Sequence, residues 1–194
     1  MPSQAFEEWA SKAQAAFDEI ENAHRAVGGT RPGRRTLTQQ INYSYVSLLA
    51  ARFQGYCRAL HSEVVPIVAS SVTGDVAIIL HELLTRDRKL DRGNANPGNL
   101  GADFNRFGLD FWKEVEARDS RNARRKASLQ DLVDWRNAIQ HHDIDAKLAA
   151  GELTPNRITL GQCQRWRRSL MELAKSVDAV LADQCESFGR PPLW

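Results

Sequence analysis

Apolar residues recur at three- and four-residue intervals through almost the whole chain, while strand-like alternation is scarce. A chain patterned in this way buries its apolar stripes by packing helix on helix, which makes an all-α bundle of five or six helices the expected fold. Phe6, Trp9, Ala13, Phe17 and Ile20 mark a first amphipathic helix over roughly 3–26, and the run Gly28-Gly29-Thr30-Arg31-Pro32-Gly33 breaks it. Ile41, Tyr45, Leu48, Leu49, Tyr56, Leu60 and Val64 define a long second helix near 37–65. Pro66 should end or kink it, since it has no amide proton and crowds the preceding turn. A third helix is expected from Gly74 to Leu90, with Ile78, Ile79, Leu83 and Leu84 facing inward. The Asn/Gly/Pro-rich stretch 91–99 favours turns. After it come a shorter helix carrying Phe104, Phe107, Leu109, Phe111 and Trp112, interrupted at Gly108, and a helix from Ser128 to Asp143. Ser128 with Asp131 three residues on approximates a capping box at its start. A break at Gly151 to Pro155 leads to a last helix from Leu160 to about Phe188.

At 194 residues the chain is long enough to bury a full core, and 1–194 is expected to be a single domain. Its 42% hydrophobic and 26% charged residues are ordinary for a globular protein, and no apolar run approaches the roughly 20 residues that span a bilayer. The N-terminal MPSQAFEEWASKAQAAFDEIE is acidic and amphipathic, unlike a signal or transit peptide. Cys57, Cys163 and Cys185 are odd in number and widely spaced, which argues against a disulfide scaffold or zinc site and fits a reducing cytoplasm. The net charge of +2 is small, but its distribution is uneven. Residues 118–126 hold five cations against one carboxylate, 86–92 form a second, mixed cluster, and 165–168 a third. Any one of these is explained by a solvated helix end or loop. A cationic patch beside an active site would instead concentrate a polyanion.

The richest chemistry lies in Arg136-Asn137-Ala138-Ile139-Gln140-His141. It places a permanent cation, an amide and a titratable imidazole within about one and a half helical turns. A guanidinium fork grips phosphate oxygens, and an imidazole exchanges a proton near neutral pH. At about 100° per residue, Arg136 falls near the centre of the buried stripe set by Leu129, Leu132 and Val133. A cation there must be paired, snorkel to water, or open onto a cleft or interface. His141 lies about 140° around the cylinder, so the two meet only on a shared ligand or across a two-fold axis. His142 is adjacent and could substitute for it, or simply face solvent. HEXXH, P-loop, GxGxxG and GxSxG patterns are absent, and His81-Glu82 lacks a second histidine four residues after the first.

With this motif late in an all-α chain, the sequence resembles the HEPN superfamily, whose signature is Arg, a polar residue that is often Asn, a few further residues, then His. The long second helix around Leu48-Leu49-Ala50-Ala51-Arg52-Phe53-Gln54-Gly55-Tyr56 is similar to its counterpart in the RiboL-PSP branch, although Gln54 stands where many relatives carry an acid. The Asn-Pro-Gly-Asn loop before Phe104 and the final helix are compatible with that branch. The resemblance implies a homodimer that joins two motifs in one cleft, and a metal-independent endoribonuclease of the toxin–antitoxin or phage-defence kind. It implies no cofactor, and partners that include tRNA or mRNA and an antitoxin, an associated ATPase or a sensor protein. His141 would act as general base or acid on the ribose 2′-hydroxyl, Arg136 would stabilise the transition-state charge, and Asn137 would orient phosphate or imidazole. Arg52, placed on the inward stripe of the second helix, is an auxiliary cation in this scheme, and Arg124, Arg125 and Lys126 guide the RNA backbone. Two alternatives stay open: a catalytically silent HEPN module that binds RNA or a protein, and a helical scaffold unrelated to the family.

Overall fold

The computed structural model describes residues 2–28 and 35–189, and these contain helices and no strand. The first helix, α1, is α-helical over Gln4–Glu8, widens to a π-helical turn over Trp9–Ala13, and returns to α geometry over Gln14–Gly28. The break expected over 28–33 falls, past Gly28, outside the described residues. Beyond it come α2 (Arg35–Ala69), α3 (Asp75–Thr85), α4 (Lys89–Arg92), α5 (Pro97–Phe104), α6 (Phe111–Arg118), α7 (Asn122–His141), α8 (Ile144–Ala149) and α9 (Leu160–Ser187). The all-α expectation holds. The count of five or six does not, because the segment between α2 and α7 folds into several short pieces rather than two helices.

Helix α2 is the axis of the bundle, with α1, α7 and α9 packed along it. One continuous apolar core joins them, from Ala5 and Trp9 through Tyr45, Leu49 and Phe53 to Trp135, Leu173 and Cys185. Burying a large side chain of this kind is worth about 1.5–3 kcal/mol, so these residues dominate the driving force. Polar contacts fix the register. Ser3 caps α1 by accepting from the Phe6 amide while its hydroxyl donates to buried Asp178 of α9. Glu63 of α2 accepts from the Ala5 amide at 2.7 Å. Deeper in, Glu21 of α1 accepts from the Tyr45 hydroxyl at 2.6 Å, from Gln164 Nε2 at 2.7 Å and from Arg167 at 2.9 Å. Burial alone would raise its pKa, but these donors and the Arg167 charge outweigh it and hold the Glu21 carboxyl below its ordinary value.

Three expectations need correction. Pro66 neither ends nor visibly breaks α2, which runs on to Ala69. Pro66 is exposed and lies in the last turn, where one missing amide bond costs little and the Ser70 amide still reaches the Pro66 carbonyl. The stripe of α3 is not inward: Leu84 is buried, but Ile78, Ile79 and Leu83 are 70, 58 and 60% exposed. Periodicity shows which residues share a face, not whether another element covers it. Finally, Ser128 is interior to α7, whose first residue is Asn122. The Asn122 side chain donates to the Val115 carbonyl, and Asp119 receives Arg121 and Arg125. The basic run Ala123-Arg124-Arg125-Lys126-Ala127, made of good helix formers, therefore extends the helix by about two turns.

The segment between α4 and α5 folds back toward α7 and reaches it through Asn94. Gln54 of α2 supports this segment by donating to the carbonyls of Leu90 and Gly93, at 3.0 and 2.8 Å. Asn96 caps α5 by accepting from the Asn99 amide, and Asn99 returns a bond to the Asn94 carbonyl at 2.7 Å. A Cβ at Gly93 would stand 2.9 Å from Asn99 Nδ2, so a larger residue there would push aside the amide that holds the Asn94 carbonyl. Trp112 clamps the far side by donating to the Pro97 carbonyl. No helix among the described residues is long and apolar enough to cross a membrane.

Candidate functional site

Helix α7 sets the site. Leu129, Leu132, Val133, Trp135 and Ala138 face the core, and Trp135 is anchored by stacking on Tyr43 and donating to the Pro155 carbonyl. Arg136, next along, is half-buried at the margin of that face. No carboxylate lies within ion-pair distance of it among the described residues, and its burial pushes the guanidinium pKa down. Its Nη1 donates instead to the neighbouring Asn137 Oδ1, at 3.1 Å. The same oxygen accepts from Asn94 Nδ2, at 2.7 Å.

That shared acceptor decides the character of the site. Two donors occupy Asn137 Oδ1, and its Nδ2 has no partner among the described residues. A guanidinium carries five N–H groups and no acceptor. The result is a cluster of donors, one of them cationic and partly desolvated, lacking a negative partner. Such a cluster suits a phosphate or carboxylate oxygen.

His141 ends α7. The residue after it, His142, adopts a left-handed conformation (φ 57°), and the amides of His142 and Asp143 both return to the Ala138 carbonyl. His141 and His142 are exposed, and no hydrogen bond joins either imidazole to Arg136 or Asn137. In one chain, therefore, Arg136 and Asn137 meet at the loop wall while His141 projects elsewhere. The Asp143 carboxylate begins the next turn; it has Oδ2 3.7 Å from Lys147 and a buried Oδ1 without a partner among the described residues.

Other expected residues are placed differently. Arg52 is not on the inward stripe. Phe53, Leu49, Tyr56 and Leu60 define that stripe, and Arg52 stands about a quarter-turn away, exposed beside Trp9 and Lys12 of α1. Lys126 is occupied by Glu116 at 3.0 Å and lies over the Trp112 ring, and Arg125 is buried against Asp119 and Asn122. Arg124 is exposed and unpartnered among the described residues. Among those residues no three His, Cys, Asp or Glu side chains converge as a metal-ligand set.

Asn94 and Gln54 are the residues that sequence reasoning leaves out of the site. Gln54 stands where an acid is expected. A carboxylate could not donate to the two carbonyls that the amide serves. The signal for this loop in the sequence is the density of asparagines at 94, 96 and 99, side chains that substitute for backbone partners in turns. No known protein-family model matches the chain, and it matches no curated protein and no solved structure.

Proposed function

We propose that this protein is an endoribonuclease of the HEPN type, acting as a homodimer whose two Arg136/His141 motifs form one composite site. The observation that carries the reading is the half-buried Arg136, free of any carboxylate among the described residues and braced by an asparagine whose acceptor is already used. A partly desolvated guanidinium without a counter-ion is costly to keep, and a phosphodiester would supply the missing charge.

In this scheme His141, exposed in the last turn of α7, takes the proton from a ribose 2′-hydroxyl as the oxygen attacks the adjacent phosphorus. The 5′-oxygen leaves with a proton from an acid, a role the second His141 can fill. Arg136 and the Asn137 Nδ2 donate to the non-bridging oxygens as charge builds on the phosphorane. The separation of His141 from Arg136 around α7 is the reason for invoking a second copy. A two-fold axis along this helix brings one protomer's imidazole to its partner's guanidinium.

A test of the chemistry uses an RNA oligonucleotide and its counterpart with a single 2′-deoxyribose at the mapped cleavage position. A 2′,3′-cyclic phosphate and a free 5′-hydroxyl are expected from the first, and no cut in the second. Cutting of the deoxy substrate at that position, or a 5′-phosphate product, would contradict the proposal. A second reading, a binding module that holds RNA or a protein without cleaving, is favoured by one observation. The His141 imidazole has no hydrogen-bond partner to orient it among the described residues.

A further inference from the structure

Two basic clusters far apart in sequence face one another across a groove on the opposite flank of α7. From α7 and its start come Arg121, Arg124 and Arg125, and from α9 come Arg165 and Arg168. The groove has a volume of about 620 Å³, and Ala127, Pro155 and the buried Trp166 also line it. Among the described residues only Asp131 and Glu172 line it with negative charge, and Glu172 is already paired with Lys175 at 2.6 Å. Arg121 and Arg125 are held by Asp119, and Arg165 by the side-chain oxygen of Gln162. Arg124 and Arg168, one on each wall, are exposed and have no partner among the described residues.

We infer that this groove binds the phosphodiester backbone of a single-stranded nucleic acid, and specifically RNA, a choice of strand that rests on the proposed nuclease activity. Guanidinium groups on both walls supply phosphate contacts, and the open space between them leaves room for the sugars and bases. The volume matches an ordinary ligand cleft of ~300–1,000 Å³. Arg124 lies about 18 Å along α7 from Arg136, at 1.5 Å per residue. The two also stand about 120° apart around the helix, so a strand held in the groove would cross over α7 to reach Arg136, several nucleotides away. The paired arginines keep the walls in place while Arg124 and Arg168 meet the phosphates.

The test is binding of fluorescein-labelled single-stranded RNA, read by anisotropy over a series of salt concentrations. The parent is His141→Ala protein, so that cutting does not interfere. Arg124→Ala/Arg168→Ala is compared with a charge-matched control, Arg86→Ala/Lys113→Ala, on faces remote from the groove. Removing two phosphate contacts should lower the slope of log K against log salt by about 1.4, at ~0.7 per contact on a single strand. Affinity should fall at least tenfold, while the control stays within twofold of the parent. Neither groove arginine has a partner to abandon among the described residues, and Arg86 gives up only an exposed pair with Glu82, so both double variants should melt close to the parent. An Arg124→Glu variant should weaken binding further. Equal binding by the groove variant and the control overturns the inference, as does a parent without salt-sensitive RNA binding. A parent that binds polyglutamate as tightly as RNA overturns it too. A protein that binds through the groove but never cleaves leaves the groove standing and sinks only the nuclease reading. Cleavage with undiminished binding by the groove variant sinks only the groove.

Discussion

Asn137 keeps an amide donor without a partner among the described residues, because its oxygen is used twice, by Arg136 and by Asn94. Asn137→Asp tests that arrangement with almost no change of shape. A carboxylate at this position pairs with Arg136 and repels phosphate. RNA turnover is expected to fall by about 10²–10³-fold, the usual cost of one lost transition-state donor. Stability should move by no more than about 1 kcal/mol, as for other partly exposed ion pairs. Thermal melting and initial rates check both, and a variant with wild-type turnover would remove Asn137 from the site. Arg136, Asn137 and His141 are legible in the sequence because their residue types and spacing are chemical signals in themselves. Asn94 is not, since its role depends on how a loop some forty residues upstream folds back onto α7. His61 carries a second residue-scale prediction. Its ring is fully buried against Phe104 and Phe107, with Nδ1 3.4 Å from Arg88 Nη1. Burial, and secondarily the charge of Arg88, lowers its pKa to about 4, against opposing contributions from Asp103. The unfolded chain then binds the extra proton first as pH falls. Stability from this residue is complete above about 6.5 and is lost progressively toward pH 4, by on the order of 3 kcal/mol. Denaturant titrations at several pH values should show a shallower decline in that window for His61→Gln, and parallel curves would refute the assignment.

Among the elements, α2 and the loop it supports show where sequence patterning suffices and where it stops. Of the stripe read from spacing, Tyr45, Leu49, Tyr56, Leu60 and Val64 are buried in the structure and Ile41 and Leu48 are partly buried, while Phe53 joins the buried face. Arg52 falls outside it because a stripe taken one position too wide includes a lateral residue. Helix α3 differs, its spacing being helical while its apolar face is left uncovered. The start of α7 is hidden in the sequence because a run of arginines reads as a solvated linker, whereas Asp119 and Asn122 organise it as a helix. Gln54 gives the sharpest test at this scale. Gln54→Glu would set a carboxylate against the carbonyls of Leu90 and Gly93, in place of an amide that donates to both. A loss of about 1–3 kcal/mol in urea unfolding is expected, the cost of leaving buried acceptors unsatisfied. Unchanged stability would mean that the loop holds its shape without α2.

For the molecule as a whole, two cationic features lie along one helix. α7 carries the donor cluster of Arg136 and Asn137 toward its C-terminal end and one wall of the arginine groove toward its N-terminal end. A composite nuclease site requires two such helices, so sedimentation should show a dimer at tens of micromolar, where an interface of standard size holds. A monomer at that concentration would contradict the composite site. No sequence pattern joins the α7 arginines to those of α9, because some forty residues separate them and only the packing of the two helices makes them neighbours. The most direct test of the proposed nuclease is cleavage of total cellular RNA by the purified protein with EDTA present, comparing wild type with Arg136→Ala and His141→Ala. Cutting by wild type alone is expected, with both variants folded and inert. Equal cutting by all three proteins, or none by any of them, would contradict it.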